Sequence, residues 1–103
     1  MKLLAMLTLT LLSSTAFSAE YLIEQKDKKF TKKELKLKVG DVIEFKNSDP
    51  FNHNVFSLSD AQTFDLGSYP QGQSKKVTFT QAGKVEVECA IHPEMKLNVE
   101  VNK

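Results

Sequence analysis

Apolar and polar residues alternate with a period of two along several short segments of the chain. In one of them Leu35, Leu37 and Val39 alternate with lysines, so the apolar side chains share one face. Such alternation predicts β-strands that bury one face and leave the other in water. The predicted strands are residues 21–23, 35–39, 42–45, 54–58, 77–79, 85–89 and 97–101.

No segment after residue 18 shows a convincing helical period, so the pattern predicts an all-β protein. Two sheets that are each apolar on one face bury that face by packing together, and the expected architecture is therefore a β-sandwich. Residues 57–74 are less regular and contain Gly67, Pro70 and Gly72, so this segment could hold a short helix or a long loop. No internal repeat or second domain is visible.

The amino terminus has the layout of a secretory signal peptide. Met1 and Lys2 precede an apolar run over residues 3–12, and small residues surround a cleavage point after Ser18. The apolar run is shorter than the roughly 20 residues that a membrane-spanning helix needs. We therefore expect residues 1–18 to be a signal peptide, residues 19–103 to be one exported domain, and the mature chain to have no membrane span.

Charge and cysteine content narrow the function. The chain has 14 Lys plus Arg and 13 Asp plus Glu, and loss of Lys2 with the signal peptide would balance them. A nucleic-acid partner is not expected, because phosphate-binding domains carry a basic excess. A single cysteine allows no internal disulfide. A bound metal is then a candidate source of stability for a small exported domain.

The residues that carry chemistry lie close to the carboxyl terminus and in one upstream turn. Residues 89–95 (CAIHPEM) place a thiolate, an imidazole and a thioether at Cys89, His92 and Met95, and the other histidine is His53. Cys89 shares the apolar face of its predicted strand with two valines, so its side chain should point into the sandwich. Two imidazoles, one thiolate and a weak axial thioether are the donors of electron-transfer copper sites.

Other interpretations of the same residues remain. A buried cysteine or methionine is often only a core residue, although coincidence must then place Cys89, His92 and Met95 in one loop. A Cys/His hydrolase needs a cleft and an oxyanion hole, for which so small a domain offers little room. Zinc accepts one cysteine and two histidines, but methionine is a poor zinc ligand, so Met95 favours copper.

Two motifs resemble those of the cupredoxins, the blue type 1 copper proteins that include plastocyanin and amicyanin. Residues 39–47 (VGDVIEFKN) and 53–56 (HNVF) resemble the strand and histidine motif of the family, and the spacing of residues 89–95 is like that of amicyanins. The whole is similar to short plastocyanin-like proteins of the methylamine-utilisation type. The resemblance implies a Greek-key β-sandwich that holds one copper ion, Cu(I) or Cu(II). Its implied ligands are His53, Cys89, His92 and, axially, Met95.

The resemblance also implies roles for residues around the ligands. The backbone N–H of Asn54 is expected to donate to the Cys89 sulfur, and Asn47 is expected to tie the two ligand-bearing segments together. The edge of His92 is the implied electron exit. The sequence departs from many relatives in having Val85 and Val87 where they carry aromatic residues.

These features together predict a periplasmic carrier of single electrons that is not an enzyme. The alternative is a copper chaperone or copper-resistance protein, but Met95 is the only methionine that remains after the signal peptide. Redox partners should dock transiently at the apolar rim formed near His92 by Pro50, Phe51 and Pro93, and a monomer is expected. The lysine-rich residues 26–38 are either a basic patch for an acidic partner or, as we favour, a solvated strand edge.

Overall fold

Nine β-strands and no helix make up residues 18–103, the part of the chain that our computed structural model describes. The predicted signal peptide, apart from Ser18, lies outside these residues. No segment of residues 18–103 forms a helix that could cross a membrane. The strands are β1 (Glu20–Lys26), β2 (Lys29–Phe30), β3 (Glu34–Lys38), β4 (Val42–Asn47), β5 (His53–Ser57), β6 (Phe64–Tyr69), β7 (Ser74–Thr78), β8 (Gly83–Glu88) and β9 (Lys96–Asn102).

The strands form two sheets, and the chain crosses between them repeatedly. One sheet has four strands in the order β2-β1-β4-β7, and the other has five in the order β3-β9-β8-β5-β6. The β1–β4 and β3–β9 pairs are parallel, whereas the remaining pairs are antiparallel. This arrangement is the Greek-key β-sandwich that the family resemblance implies.

The period-two alternation places the core between the sheets. Ile43 and Phe45 of β4 are fully buried, as are Val85 and Val87 of β8. The aromatic packing comes from other strands than β8, because the Phe45 ring lies 6.2 Å from one phenylalanine ring and 6.5 Å from another. The core therefore combines small valines in β8 with aromatic rings that come from other strands.

Three sequence predictions need correction. The irregular residues 57–74 contain strand β6 and no helix; the strand is hard to recognise because Gly67 within it has φ 73° and its register with β5 is irregular. Strand β2 was not expected. Val39 is 42 % exposed and does not share the buried face of Leu35 and Leu37, because β3 ends at Lys38 and the turn through Gly40 (φ 97°) begins.

Candidate metal centre

The topology brings the predicted ligands to one end of the five-stranded sheet. His53 is the first residue of β5, and Cys89 directly follows β8. Because β5 and β8 are antiparallel neighbours, the start of one lies beside the end of the other. His92 lies in the loop between β8 and β9, and Met95 is the last residue before β9.

Three of the four predicted ligands form a compact cluster. The donor atoms of His53, Cys89 and His92 all lie within 4.8 Å of one another. His53 Nδ1 is 3.6 Å from the Cys89 sulfur, and the two imidazole rings are 5.1 Å apart between centroids. Met95 is buried at the end of the same loop, where its backbone N–H donates to the carbonyl of His92 over 2.9 Å.

The donors are desolvated, and one lacks a partner. Cys89 is 1 % exposed and His53 is fully buried. His92 Nδ1 is also buried, yet no hydrogen-bond partner lies near it among residues 18–103. A buried nitrogen without a partner loses the free energy of its hydration, unless something else binds it. Two imidazole nitrogens and one sulfur are the equatorial donors of electron-transfer copper sites, so the residues present fit a copper ion.

Asn54 contacts the Cys89 sulfur differently from what the resemblance implies. Its side-chain oxygen Oδ1 lies 3.3 Å from the sulfur and accepts a 2.9 Å hydrogen bond from the backbone N–H of Ala90. The expected bond from the Asn54 backbone N–H is not among the contacts found around the sulfur within the described residues. With Cys89 as a thiol, the S–H donates to Oδ1, and the Asn54 side chain joins the two ligand segments.

Asn47 also has a different role from the implied one. Its side-chain amide donates to the carbonyl oxygens of Phe51, at 2.8 Å, and Tyr69, at 2.9 Å, and its oxygen accepts from the backbone N–H of Asp49 at 2.9 Å. Asn47 therefore fixes the turn before His53 and ties it to β6, whereas the bonds of its side chain do not reach the Cys89 loop.

Asp49 is a site residue that the sequence interpretation missed. Its Oδ2 lies 2.6 Å from His53 Nε2, and both residues are buried. Burial alone would raise the pKa of the Asp49 carboxyl, but the hydrogen bonds from His53 and from the backbone N–H groups of Lys28 and Asp27 outweigh it and lower the pKa. The only signal in the sequence is an aspartate four residues before a histidine in a proline-containing turn.

An apolar rim surrounds the half-buried His92. The Phe51 ring lies 5.5 Å from the His92 ring and 5.2 Å from the His53 ring. Phe51 is 37 % exposed and Ile91 is 56 % exposed. Pro50 and Pro93, which the sequence placed in this rim, are also exposed.

The family match agrees with this geometry. The family described as copper binding proteins, plastocyanin/azurin family, matches residues 18–102. The chain belongs to this family. As for other members of this copper-binding family, its cofactor is copper, and the cluster of His53, Cys89 and His92 is consistent with one ion.

Individual relatives support the same assignment to the plastocyanin/azurin family. The chain is 37 % identical over 68 residues to the methylamine utilization protein MauL of Methylorubrum extorquens, a match over 65 % of this chain and 60 % of that protein. The chain therefore spans about 60 % of the length of the curated relative that it matches.

Solved structures with the same fold include amicyanin and part of an enzyme. The Cu(I) form of a point mutant of amicyanin is 25 % identical with a TM-score of 0.74, covering 86 % of this chain and 88 % of that one. A purple cupredoxin from Nitrosopumilus maritimus is 20 % identical with a TM-score of 0.70, covering 80 % and 99 %. The copper-containing nitrite reductase of Thermus scotoductus SA-01 is 24 % identical with a TM-score of 0.74, covering 84 % of this chain but 23 % of the enzyme.

Proposed function

We propose that this protein carries single electrons between redox partner proteins by means of one copper ion. His53, Cys89 and His92 are the proposed strong ligands, and Met95 is the proposed weak axial ligand. The observation that carries the proposal is the convergence of three donor atoms within 4.8 Å, and His92 Nδ1 is in addition buried without a partner among the described residues. Copper supplies one-electron chemistry between Cu(I) and Cu(II) at such a set of donors.

The residues around the ligands suit this function because they hold the donors in place. Asp49 fixes the His53 ring, and Asn54 bridges to the backbone after Cys89. A site that is held by such contacts rearranges little when its charge changes, which favours fast electron exchange. Burial of Cys89 also keeps water away from the sulfur.

The proposed route for electrons runs through His92. His53 is fully buried, whereas His92 is half-buried and lies beside the exposed Phe51 ring and next to the exposed Ile91 in the chain. A rim of a few exposed apolar side chains favours weak and short-lived docking, as electron-transfer complexes require. The partner proteins would therefore contact the molecule at this end.

A carrier fits the site better than an enzyme or a copper chaperone does. Cys89 is 1 % exposed, which leaves its sulfur inaccessible as a nucleophile. The nitrite reductase matches through 23 % of its length, and that likeness concerns the fold alone. A chaperone must hand over its ion, whereas the buried donors here favour retention. We place the carrier in the periplasm, on the strength of the signal-like residues 1–18.

The optical and EPR spectra of the copper(II) protein test the proposal. We expect an intense visible band from charge transfer between the Cys89 thiolate and copper, and Cys89→Ala should abolish it. Val87→Ala is the matched control, because Val87 is fully buried on the same face of the same strand. This control should lose stability, by about 1–2 kcal/mol for two deleted methyl groups, and keep the band.

A second measurement separates a carrier from a copper-handling protein. We expect fast electron self-exchange and slow loss of copper to a chelator or an acceptor protein. Ready transfer of copper to an acceptor, together with slow self-exchange, would support the chaperone instead. A copper(II) protein without the thiolate band contradicts the proposed copper site altogether.

A further inference from the structure

Asp49 and His53 form a buried hydrogen-bonded pair whose geometry fixes the imidazole. His53 Nε2 lies 2.6 Å from Asp49 Oδ2, and neither side chain is more than 5 % exposed. An ionised carboxylate can only accept hydrogen bonds, so the ring proton of His53 belongs on Nε2. The lone pair is then on Nδ1, the nitrogen that faces the Cys89 sulfur at 3.6 Å. Asp49 thus selects the tautomer that a metal ligand needs.

The same carboxylate holds the turn between β1 and β2. Asp49 Oδ1 accepts from the backbone N–H of Asp27 at 2.7 Å, and Oδ2 accepts from that of Lys28 at 3.0 Å. Asp27 and Lys28 both have positive φ, at 55° and 60°, as the two central residues of a type I′ turn do. Positive φ is strained for a non-glycine residue, and the two charge-assisted hydrogen bonds offset part of this strain.

The Lys28 side chain extends the link to the surface beside the metal centre. Its Nζ lies 5.9 Å from the centroid of the Phe51 ring, which is itself 5.2 Å from the His53 ring. One turn therefore contacts the centre twice, through its amides to Asp49 and through its lysine to Phe51.

We propose that Asp49 is the residue that positions His53 for copper and joins the β1–β2 turn of the other sheet to the metal centre. The inference rests on the proposed function, and it adds an electrostatic role. A buried negative charge beside a ligand stabilises the more positive Cu(II) over Cu(I), so Asp49 lowers the reduction potential of the site.

Asp41 provides a matched control for Asp49. It is equally buried, and its carboxylate also accepts two backbone hydrogen bonds, from Ala19 at 2.8 Å and Lys38 at 2.9 Å. Its hydrogen-bond partners within residues 18–103 do not include a predicted ligand. Asp41→Asn therefore reproduces the loss of a buried structural carboxylate and leaves the His53 ring untouched.

The metal-free protein gives the first test. In the wild type, ¹⁵N NMR of the His53 ring should show one tautomer with a slowly exchanging proton on Nε2. Asp49→Ala should speed exchange of this proton and mix the tautomers, and Asp41→Asn should do neither. If Asp49→Ala does not fold, Asp49→Asn serves, because a neutral amide oxygen accepts from Nε2 more weakly than a carboxylate does and one turn N–H loses its acceptor, so the Nε2 proton should still exchange faster than in the wild type.

The copper-loaded protein gives the second test. Asp49→Asn should weaken Cu(II) binding by roughly 10- to 100-fold. Cu(I) binding should weaken less, and the reduction potential should rise by about 59 mV for each factor of ten between the two losses of affinity. Asp41→Asn should leave both unchanged. Unaltered His53 signals in the metal-free Asp49 variants, or equal potentials in Asp49→Asn and Asp41→Asn, would overturn the inference. A wild type that lacks the thiolate band contradicts the proposed function instead, and the metal-free test still decides whether Asp49 positions His53.

Discussion

The phenol of Tyr69 donates a hydrogen bond across the sandwich to the backbone carbonyl of Phe45, 3.0 Å away. Tyr69 belongs to β6 of the five-stranded sheet and Phe45 to β4 of the four-stranded sheet. The same phenol oxygen accepts a 2.9 Å hydrogen bond from the side-chain amide of Gln25. All three residues are buried, so this small polar network joins the two sheets inside the sandwich.

Removing the phenol oxygen of Tyr69 should therefore destabilise the fold, although the substitution deletes only one heavy atom. Tyr69→Phe leaves the Phe45 carbonyl and the Gln25 amide buried without these partners, and we expect a loss of about 1–3 kcal/mol in the free energy of unfolding. Urea denaturation of the metal-free protein measures it. Tyr21→Phe, at the other tyrosine, which is only half-buried, should change stability by no more than about 0.5 kcal/mol. Equal effects of the two substitutions would contradict the network.

The same tyrosine should make stability depend on alkaline pH. Burial, with a smaller contribution from the nearby Cys89 sulfur, raises the pKa of Tyr69 to about 12, against the opposing effect of Gln25. The folded state thus favours the protonated phenol, and its contribution is complete below the unfolded pKa of about 10 and is lost as pH rises towards 12. Between about pH 10 and 12, the free energy of unfolding of the wild type should fall by on the order of 2–3 kcal/mol more than that of Tyr69→Phe. Parallel pH profiles for the two proteins would count against this assignment.

Met95→Leu tests whether the methionine is a ligand or a core residue. Both residues fill a similar volume, so the free energy of unfolding should fall by less than about 1.5 kcal/mol. If Met95 binds copper axially, its loss should keep the copper but change the visible spectrum and raise the reduction potential. Leu97→Met is the control, because Leu97 is fully buried two residues further along. A Met95→Leu protein with the wild-type spectrum and potential would make Met95 a core residue only.

Gly83 should tolerate no side chain. Its φ is 143°, and a Cβ there would lie 2.8 Å from the Cβ of Ala61. Gly72 also has a positive φ, 87°, but a Cβ there would meet nothing within 4 Å among the described residues. We expect Gly72→Ala to cost about 1–2 kcal/mol for the backbone alone, and Gly83→Ala to cost about 1–3 kcal/mol more for the added clash. Thermal denaturation compares them, and adding Ala61→Gly should restore part of the loss only in Gly83→Ala.

The sequence predicted those parts of the molecule that depend on local alternation. The register of β8 correctly turned Cys89 inward with Val85 and Val87, because a period of two fixes which face each residue occupies. Loop spacing was enough to bring His92 and Cys89 together. The prediction that His53 lies beside them depended on the sandwich topology, which came from the family resemblance.

What the sequence could not predict depends on contacts between distant segments. Asp49 and His53 are only four residues apart, but the Asp49 carboxylate is held beside the metal centre by backbone N–H groups of the β1–β2 turn, 21 and 22 positions upstream. Strand β6 escaped notice because Gly67, with φ 73°, interrupts its alternation and its register with β5 is irregular. The orientation of the Asn54 side chain depends on the Ala90 amide, which lies 36 positions further along the chain.

The lysine-rich residues 26–38 contain two strands that lie at sheet edges. Strand β2 ends the four-stranded sheet and β3 ends the five-stranded sheet, and the far edge at β7 carries Lys75 and Lys76. Charged edges resist pairing with strands of other molecules. The apolar rim at His92, in contrast, favours brief contact. A crowded solution of these molecules should therefore stay free of sheet-to-sheet aggregates, while each molecule still meets its neighbours at the end through which we propose that its electron passes.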